Sequence, residues 1–265
     1  MKIAFIGGGN MGEAMLAAVL EDGLAKPEAI WVSDVSLARR KALVQQYGVA
    51  AMADNLEAIS GKEIVVLAVK PQNLAEVMAK LGGRLGSDQV VLSIVAGARI
   101  ETLSKGLKHG AVARAMPNTP AQVGEGMSVW TATPQVTAEQ KGLVGAILGA
   151  MGAEIYVDDE KYIDMATAVS GSGPAYFFLM VESLIEAAVA IGLPRDMAGK
   201  LAVQTMLGSG RLIQQSGVEP AELRKRVTSP GGTTARAIEQ FEKGEFTELV
   251  KRAVRAAYDR ARELG

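Results

Sequence analysis

The most constraining feature of this 265-residue chain is a run of glycines placed directly after a strand. Ile3-Ala4-Phe5-Ile6 is β-favouring and apolar. It leads straight into Gly7-Gly8-Gly9-Asn10-Met11-Gly12, and an apolar helical pattern covers residues 10–20. This is G-x-G-x-x-G at a strand–turn–helix junction. Gly7 permits the tight turn, Gly9 lets backbone approach a pyrophosphate, and Gly12 lets the helix close on the strand. The helix N-terminus then offers free N–H groups and a positive dipole end to phosphates. The arrangement predicts a dinucleotide site.

The rest of the first 158 residues fits that start. Short apolar runs at 3–6, 30–33, 64–69, 90–95 and 111–116 alternate with helical patterns at 10–20, 37–47, 74–81 and 100–107. Two further strand-like pieces, 127–131 and 154–157, flank a helical stretch at 137–151. Such alternation predicts a doubly wound, mostly parallel α/β sheet covered on both faces, a Rossmann-like domain. After about residue 159 the strand signal stops. Helical patterns then follow at 161–169, 175–191, 195–216, 221–227, 235–241 and 246–264. The expected organisation is 1–160 as a nucleotide-binding domain and 161–265 as an all-α domain, with the boundary near 158–165.

Helix 174–191 is apolar around nearly its whole circumference, from Tyr176, Phe177 and Phe178 through Leu184, Ile185 and Ile191. A helix of this kind needs burial on all sides, which a small helical domain cannot supply alone. A symmetric contact with a second copy is the expected remedy.

Composition removes several classes of chemistry. The chain has no cysteine, so disulfides, thiolate metal sites and cysteine nucleophiles are excluded. It has one histidine, His109, in a loop-like Lys-His-Gly setting, so a multi-histidine metal centre is excluded and no metal is expected. A net charge of -1 argues against nucleic acid as the partner. The longest apolar stretch, 174–193, carries Glu182 and Glu186, and no membrane span is expected. The N-terminus enters a strand with no leader-like segment, which points to the cytoplasm.

Several loops carry further polar or small residues. The second strand ends in Ser33-Asp34-Val35-Ser36, with Arg39, Arg40 and Lys41 beyond. Asp34, 22 positions past Gly12, suits the ribose 2′-OH of NAD, whereas Ser33, Ser36 and Arg39 suit the 2′-phosphate of NADP. Ala68-Val69-Lys70-Pro71 and Ala96-Gly97 close later strands, where open α/β sheets bind ligands. Met116-Pro117-Asn118-Thr119-Pro120 is a proline-bounded loop holding a polar pair. In the helical part, Ser170-Gly171-Ser172-Gly173-Pro174 precedes the apolar helix. Thr228-Ser229-Pro230-Gly231-Gly232-Thr233-Thr234 precedes the helix at 235–241 and can seat an anion on backbone N–H groups.

These motifs, in this order, resemble pyrroline-5-carboxylate reductases over essentially the whole chain. The Ser-Gly-Ser-Gly-Pro and Ser-Pro-Gly-Gly-Thr-Thr segments are the specific ones; the glycine fingerprint alone is not. The resemblance implies NAD(P)H-dependent reduction of 1-pyrroline-5-carboxylate to proline. It also implies an intertwined homodimer, with rings of dimers in some members. It assigns cofactor contacts to Ile6, Gly7, Gly8, Gly9, Asn10, Met11, Gly12, Ser33, Asp34, Ser36, Asn55, Ala68, Val69, Lys70, Pro71, Ala96 and Gly97. Asn118 and Arg39 join that set from the loop readings above. The resemblance places the substrate carboxylate on Ser229, Gly231, Gly232, Thr233 and Thr234, and gives the Thr234 hydroxyl the catalytic place near the ring nitrogen. Asp34 departs from the neutral residue of many NADP-using members, so either NADP(H) or NAD(H) is expected. A hydroxyacid dehydrogenase of similar layout would carry a lysine after the Gly-rich turn, where this chain has Pro174-Ala175-Tyr176.

Overall fold

A computed structural model describes residues 1–264. The chain falls into two compact units, Met1–Ser172 together with the chain from Ala257 onward, and Gly173–Ala256.

The first unit alternates strands and helices: β1 (Ile3–Ile6), α1 (Asn10–Glu21), β2 (Ile30–Ser33), α2 (Leu37–Tyr47), β3 (Ala50–Met52), α3 (Asn55–Ile59), β4 (Ile64–Leu67), α4 (Pro71–Leu81), β5 (Val90–Ser93), α5 (Ile100–Leu107), β6 (Val112–Met116), β7 (Gly126–Ala132), α6 (Ala138–Gly149), β8 (Gly152–Tyr156) and α7 (Lys161–Ala166). The eight strands form one sheet in the order β3-β2-β1-β4-β5-β6-β7-β8. Every pairing is parallel except β6 with β7. β1 lies between β2 and β4, its Ile3 level with Ile30 of β2 and Ile64 of β4.

β1 and β4 are apolar at every position because neither face meets water. Ile3 and Phe5 enter one core, and Ala4 and Ile6 enter the other. Ile64 and Val66 against Val65 and Leu67 repeat this division. The strand order reverses between β1 and β4. Their carboxyl ends therefore diverge into the crevice where doubly wound sheets bind ligands.

Several boundaries differ from expectation. β3 and α3 were not foreseen: Ala-Ala-Met lacks β-branched residues and becomes a strand by pairing along β2. α3 is a five-residue helix whose first turn is capped by Asp54, which accepts from Leu56 N–H at 2.7 Å. The run at 64–69 stops at Leu67, and Lys70 and Pro71 open α4 instead. His109, in its loop-like setting, is half-buried. Its Nε2 lies 2.8 Å from the Gln89 carbonyl oxygen.

The Gly-rich segment at 170–174 does not break the helical path. The chain widens into a π turn (Thr167–Gly171), with Ser172 N–H donating to the Thr167 carbonyl at 2.7 Å. α7 stays with the first unit although the composition changes near 158–165. Arg114 of β6, its side chain 4% exposed, donates to Glu160 at 2.8 Å and to Asp164 at 2.9 Å. The same Glu160 oxygen accepts from Ile100 N–H at the start of α5.

The second unit holds α8 (Gly173–Ala190), α9 (Arg195–Ser216), α10 (Pro220–Arg226) and α11 (Thr233–Lys243), and α12 (Phe246–Glu263) begins in it. α8 packs beside α9. Phe177, Phe178 and Leu179 nevertheless stay 61%, 62% and 62% exposed in the single chain. The helical run Lys161–Ala190 contains an 18-residue stretch with a mean hydropathy of 1.3, long and apolar enough to cross a membrane, which the sequence reading did not expect. Glu182 and Glu186 are the charged residues of α8.

Candidate active site

At Gly7 the backbone has φ 99°, and a Cβ there would lie 2.8 Å from the Ala68 carbonyl oxygen, so only glycine fits. Its N–H donates to the Ser33 carbonyl at 2.8 Å, which binds the turn to β2. A Cβ on Gly12 would meet the Gly7 carbonyl oxygen at 2.5 Å. The third glycine therefore lets α1 close over the loop and against Ala68. Gly8 is crowded by Leu43. Gly9 has no atom within 4 Å of its Cβ position. It is the N-cap of α1 and brings no capping side chain, so the first N–H groups of the helix, from Asn10 and Met11 onward, lack a side-chain acceptor. Open space at Gly9 and an uncapped helix start fit a diphosphate.

The end of β2 is tied to this loop. Asp34 Oδ2 accepts from Gly8 N–H at 2.9 Å, and Oδ1 accepts from Ser36 N–H at 2.8 Å. Ser36 caps α2 by accepting from Arg39 N–H. Arg39 does not extend outward: its Nε donates to the Gly8 carbonyl and its Nη2 to the Glu13 carboxylate. Arg40 donates to the Asp34 carbonyl at 2.6 Å and so holds the turn from behind. Ser33 is buried, and its hydroxyl donates to Asn55 Oδ1. It therefore meets the site through Asn55 at the head of α3 rather than as a free hydroxyl.

Ala68, Val69, Lys70 and Pro71 follow β4, and Lys70 is the exposed N-cap of α4 with no capping side chain. Ala96 and Gly97 follow β5. Gly97 has φ 76°, and its Cβ position is filled by the Leu264 backbone, whose oxygen would be 2.5 Å away. That glycine is thus required by the chain terminus of its own unit. Asn118 is also engaged within the protein. It donates to the Ser170 carbonyl in the π turn at 3.0 Å and accepts from Met127 N–H at 2.8 Å. The Pro-Asn-Thr-Pro loop is thereby pinned to the π turn, a helix form frequent at functional sites.

The residues at 229–234 belong to the second unit. Gly231 has φ 73°, and Gly232 N–H donates to the Ser229 carbonyl at 3.0 Å, closing a tight turn. Gly232 must be small, since its Cβ would lie 2.5 Å from Ser229 Oγ. It is the N-cap of the 11-residue α11 and supplies no side chain to the first N–H groups, those of Thr233 and Thr234. Thr234 is the second residue of the helix, so it is not the cap. Among the described residues its half-buried hydroxyl makes no hydrogen bond.

Sequence reasoning missed Glu13 and Tyr47. Tyr47 OH donates to Glu13 Oε1 at 3.1 Å. Burial raises the Tyr47 pKa above its ordinary value, and the Glu13 charge adds to this. The available signal was an acid in the first turn of a helix whose N-terminus should hold a phosphate.

Two family matches cover most of the chain, and the C-terminal one begins within the first unit. Residues 160–264 match the family described as pyrroline-5-carboxylate reductase dimerisation. Residues 2–97 match NADP oxidoreductase, coenzyme F420-dependent. A pyrroline-5-carboxylate reductase of Synechocystis is 44% identical, covering 100% of this chain and 98% of the relative. One from Pseudomonas aeruginosa is 41% identical over 99% of this chain and 96% of its own. Among solved structures, the pyrroline-5-carboxylate reductase of Coxiella burnetii is 37% identical, covers 100% of this chain and 98% of its own, and superposes with a TM-score of 0.90. The Plasmodium falciparum enzyme with NADP bound is 32% identical, with coverage of 100% and 98% and a TM-score of 0.91. With full-length identity above 40% and both halves matched, the chain belongs to the pyrroline-5-carboxylate reductase family.

Proposed function

We propose that this protein reduces 1-pyrroline-5-carboxylate to L-proline with NADPH or NADH, the last step of proline biosynthesis. Full-length kinship to the Synechocystis reductase carries the reading. The chain's own residues support it. Gly9 and the uncapped start of α1 would hold the diphosphate, and Asp34, Ser36 and Asn55 would border the adenosine ribose. When bound, the reduced nicotinamide supplies a hydride.

The remaining work is positioning and proton bookkeeping. The substrate carboxylate needs a seat, and the uncapped N-terminus of α11 with Gly231 and Gly232 offers neutral donors plus a positive dipole end. As an iminium, the ring nitrogen already carries its proton. Hydride adds to the ring carbon, the C=N π pair moves onto nitrogen, and a neutral amine results. Thr234 then needs only to orient the nitrogen by a hydrogen bond, and its hydroxyl is unengaged among the described residues. This account requires no histidine, lysine or metal.

The functional unit in this reading is a homodimer, given the dimerisation domain over 160–264. Rings of dimers, a cytoplasmic location, and the absence of nucleic-acid or membrane partners complete the proposal. Purified protein mixed with 1-pyrroline-5-carboxylate should oxidise NADPH and NADH, read by loss of reduced-nicotinamide absorbance, with proline as product. No proline formed with either cofactor would overturn the reading.

A further inference from the structure

The position of the Arg39 guanidinium has a consequence for cofactor choice. Arg39 lies in the first turn of α2, just past Asp34 and Ser36, where a cation would serve a 2′-phosphate. It is instead folded onto the glycine loop, donating to the Gly8 carbonyl and the Glu13 carboxylate. Both side chains are only about a quarter exposed, at 27% and 24%. Glu13 is itself fixed: its second oxygen accepts from Tyr47 OH, which in turn accepts from Gln46 Nε2 at 2.9 Å. The Gly8 peptide thus carries Arg39 on its carbonyl and Asp34 on its N–H. A phosphate placed beside Asp34 meets one fixed carboxylate. To recruit Arg39 it must also compete with a charge-assisted pair already made.

We propose that Glu13 is a specificity-determining residue, which holds Arg39 on the glycine loop and so limits the preference for NADPH over NADH. The proposal rests on the reading that this site takes NAD(P)H. Glu13→Gln keeps the shape and an acceptor for Tyr47 while removing the charge that retains Arg39. The test is direct titration of NADPH and of NADH without substrate, followed by nicotinamide fluorescence. The Kd ratio, NADH over NADPH, should rise on the order of 10-fold in Glu13→Gln, the scale of one hydrogen bond to a charged group. The rise should vanish in the Glu13→Gln, Arg39→Gln double variant. Glu13→Asp, which keeps the charge but shortens its reach, should shift the ratio in the same direction by less.

A ratio within twofold of wild type in Glu13→Gln, or a rise that survives in the double variant, would overturn the proposal. A lower thermal midpoint with no change in ratio would do the same, since Glu13 would then only brace α1 against α2. Wild-type protein that binds neither nucleotide would overturn the reading of the site itself. A normal wild-type affinity with an unmoved ratio would overturn the role of Glu13 alone.

Discussion

Phe5 in the first unit is fully buried, whereas Phe178 in the second has most of its ring in the open. The contrast runs through both regions. In the first, the apolar residues of β1, β4 and β5 divide between two cores within one chain. Among the hydrophobic residues of 173–256, Ala198 alone is buried. α8 is strongly apolar as well, so the difference lies in where the second surface comes from. A doubly wound sheet supplies its own cover, while α8 and α9 leave theirs to another molecule. The match of 160–264 to a dimerisation family gives that molecule its identity as a second copy.

The largest effect is expected from Leu184→Asp in α8. It places a charge on a surface whose apolar residues need burial, and symmetry places it twice. Sedimentation should show association weakened by at least about 100-fold, on the scale of two lost leucine burials. An unchanged dimer would remove α8 from the interface. Arg114→Ala tests the self-sufficiency of the first unit. It leaves Glu160 and Asp164 without their buried partner, and urea unfolding should show a loss of about 3–5 kcal/mol. A loss below about 1 kcal/mol would mean that α7 is held by other contacts.

The next effects concern the proposed substrate and cofactor sites. Thr234→Ala should lower kcat by roughly 10- to 1,000-fold, the range of a positioned proton-handling group and somewhat below it. Thr234→Ser should retain most activity, and nucleotide affinity should survive in both. Wild-type turnover in Thr234→Ala would leave positioning by α11 backbone as sufficient. The smallest effect is expected from Asp34→Ser. It removes a carboxylate beside the proposed ribose site, and relative kcat/KM for NADPH should rise several-fold, a change of about 1 kcal/mol. An unchanged ratio would mean that the carboxylate, held by Gly8 and Ser36, faces away from the ribose.

Most of this architecture was legible because its signals are local. Gly7 and Gly12 each answer to a backbone clash, and the alternation of apolar runs with helices gives the layered sheet directly. β3 escaped because Ala50-Ala51-Met52 is a strand only by virtue of its neighbour. The π turn escaped because its glycines suggest a break, whereas its geometry is set by Met116 approaching Gly171 and by Asn118 holding Ser170. Arg39 was readable as a cation near the ribose but not as one already paired. Glu13 is 26 residues away, and only the packing of α1 against α2 joins them. Gly97 resembled a ligand glycine, yet its missing side chain makes room for Leu264.

The claim that joins these observations is that the second unit completes its core with another copy of the chain. Sedimentation velocity of the wild-type protein at micromolar concentration tests it most directly. The expected result is a dimer or a multiple of dimers of the 27.7 kDa chain, with no monomer boundary. A single stable, soluble monomer species at that concentration would contradict it.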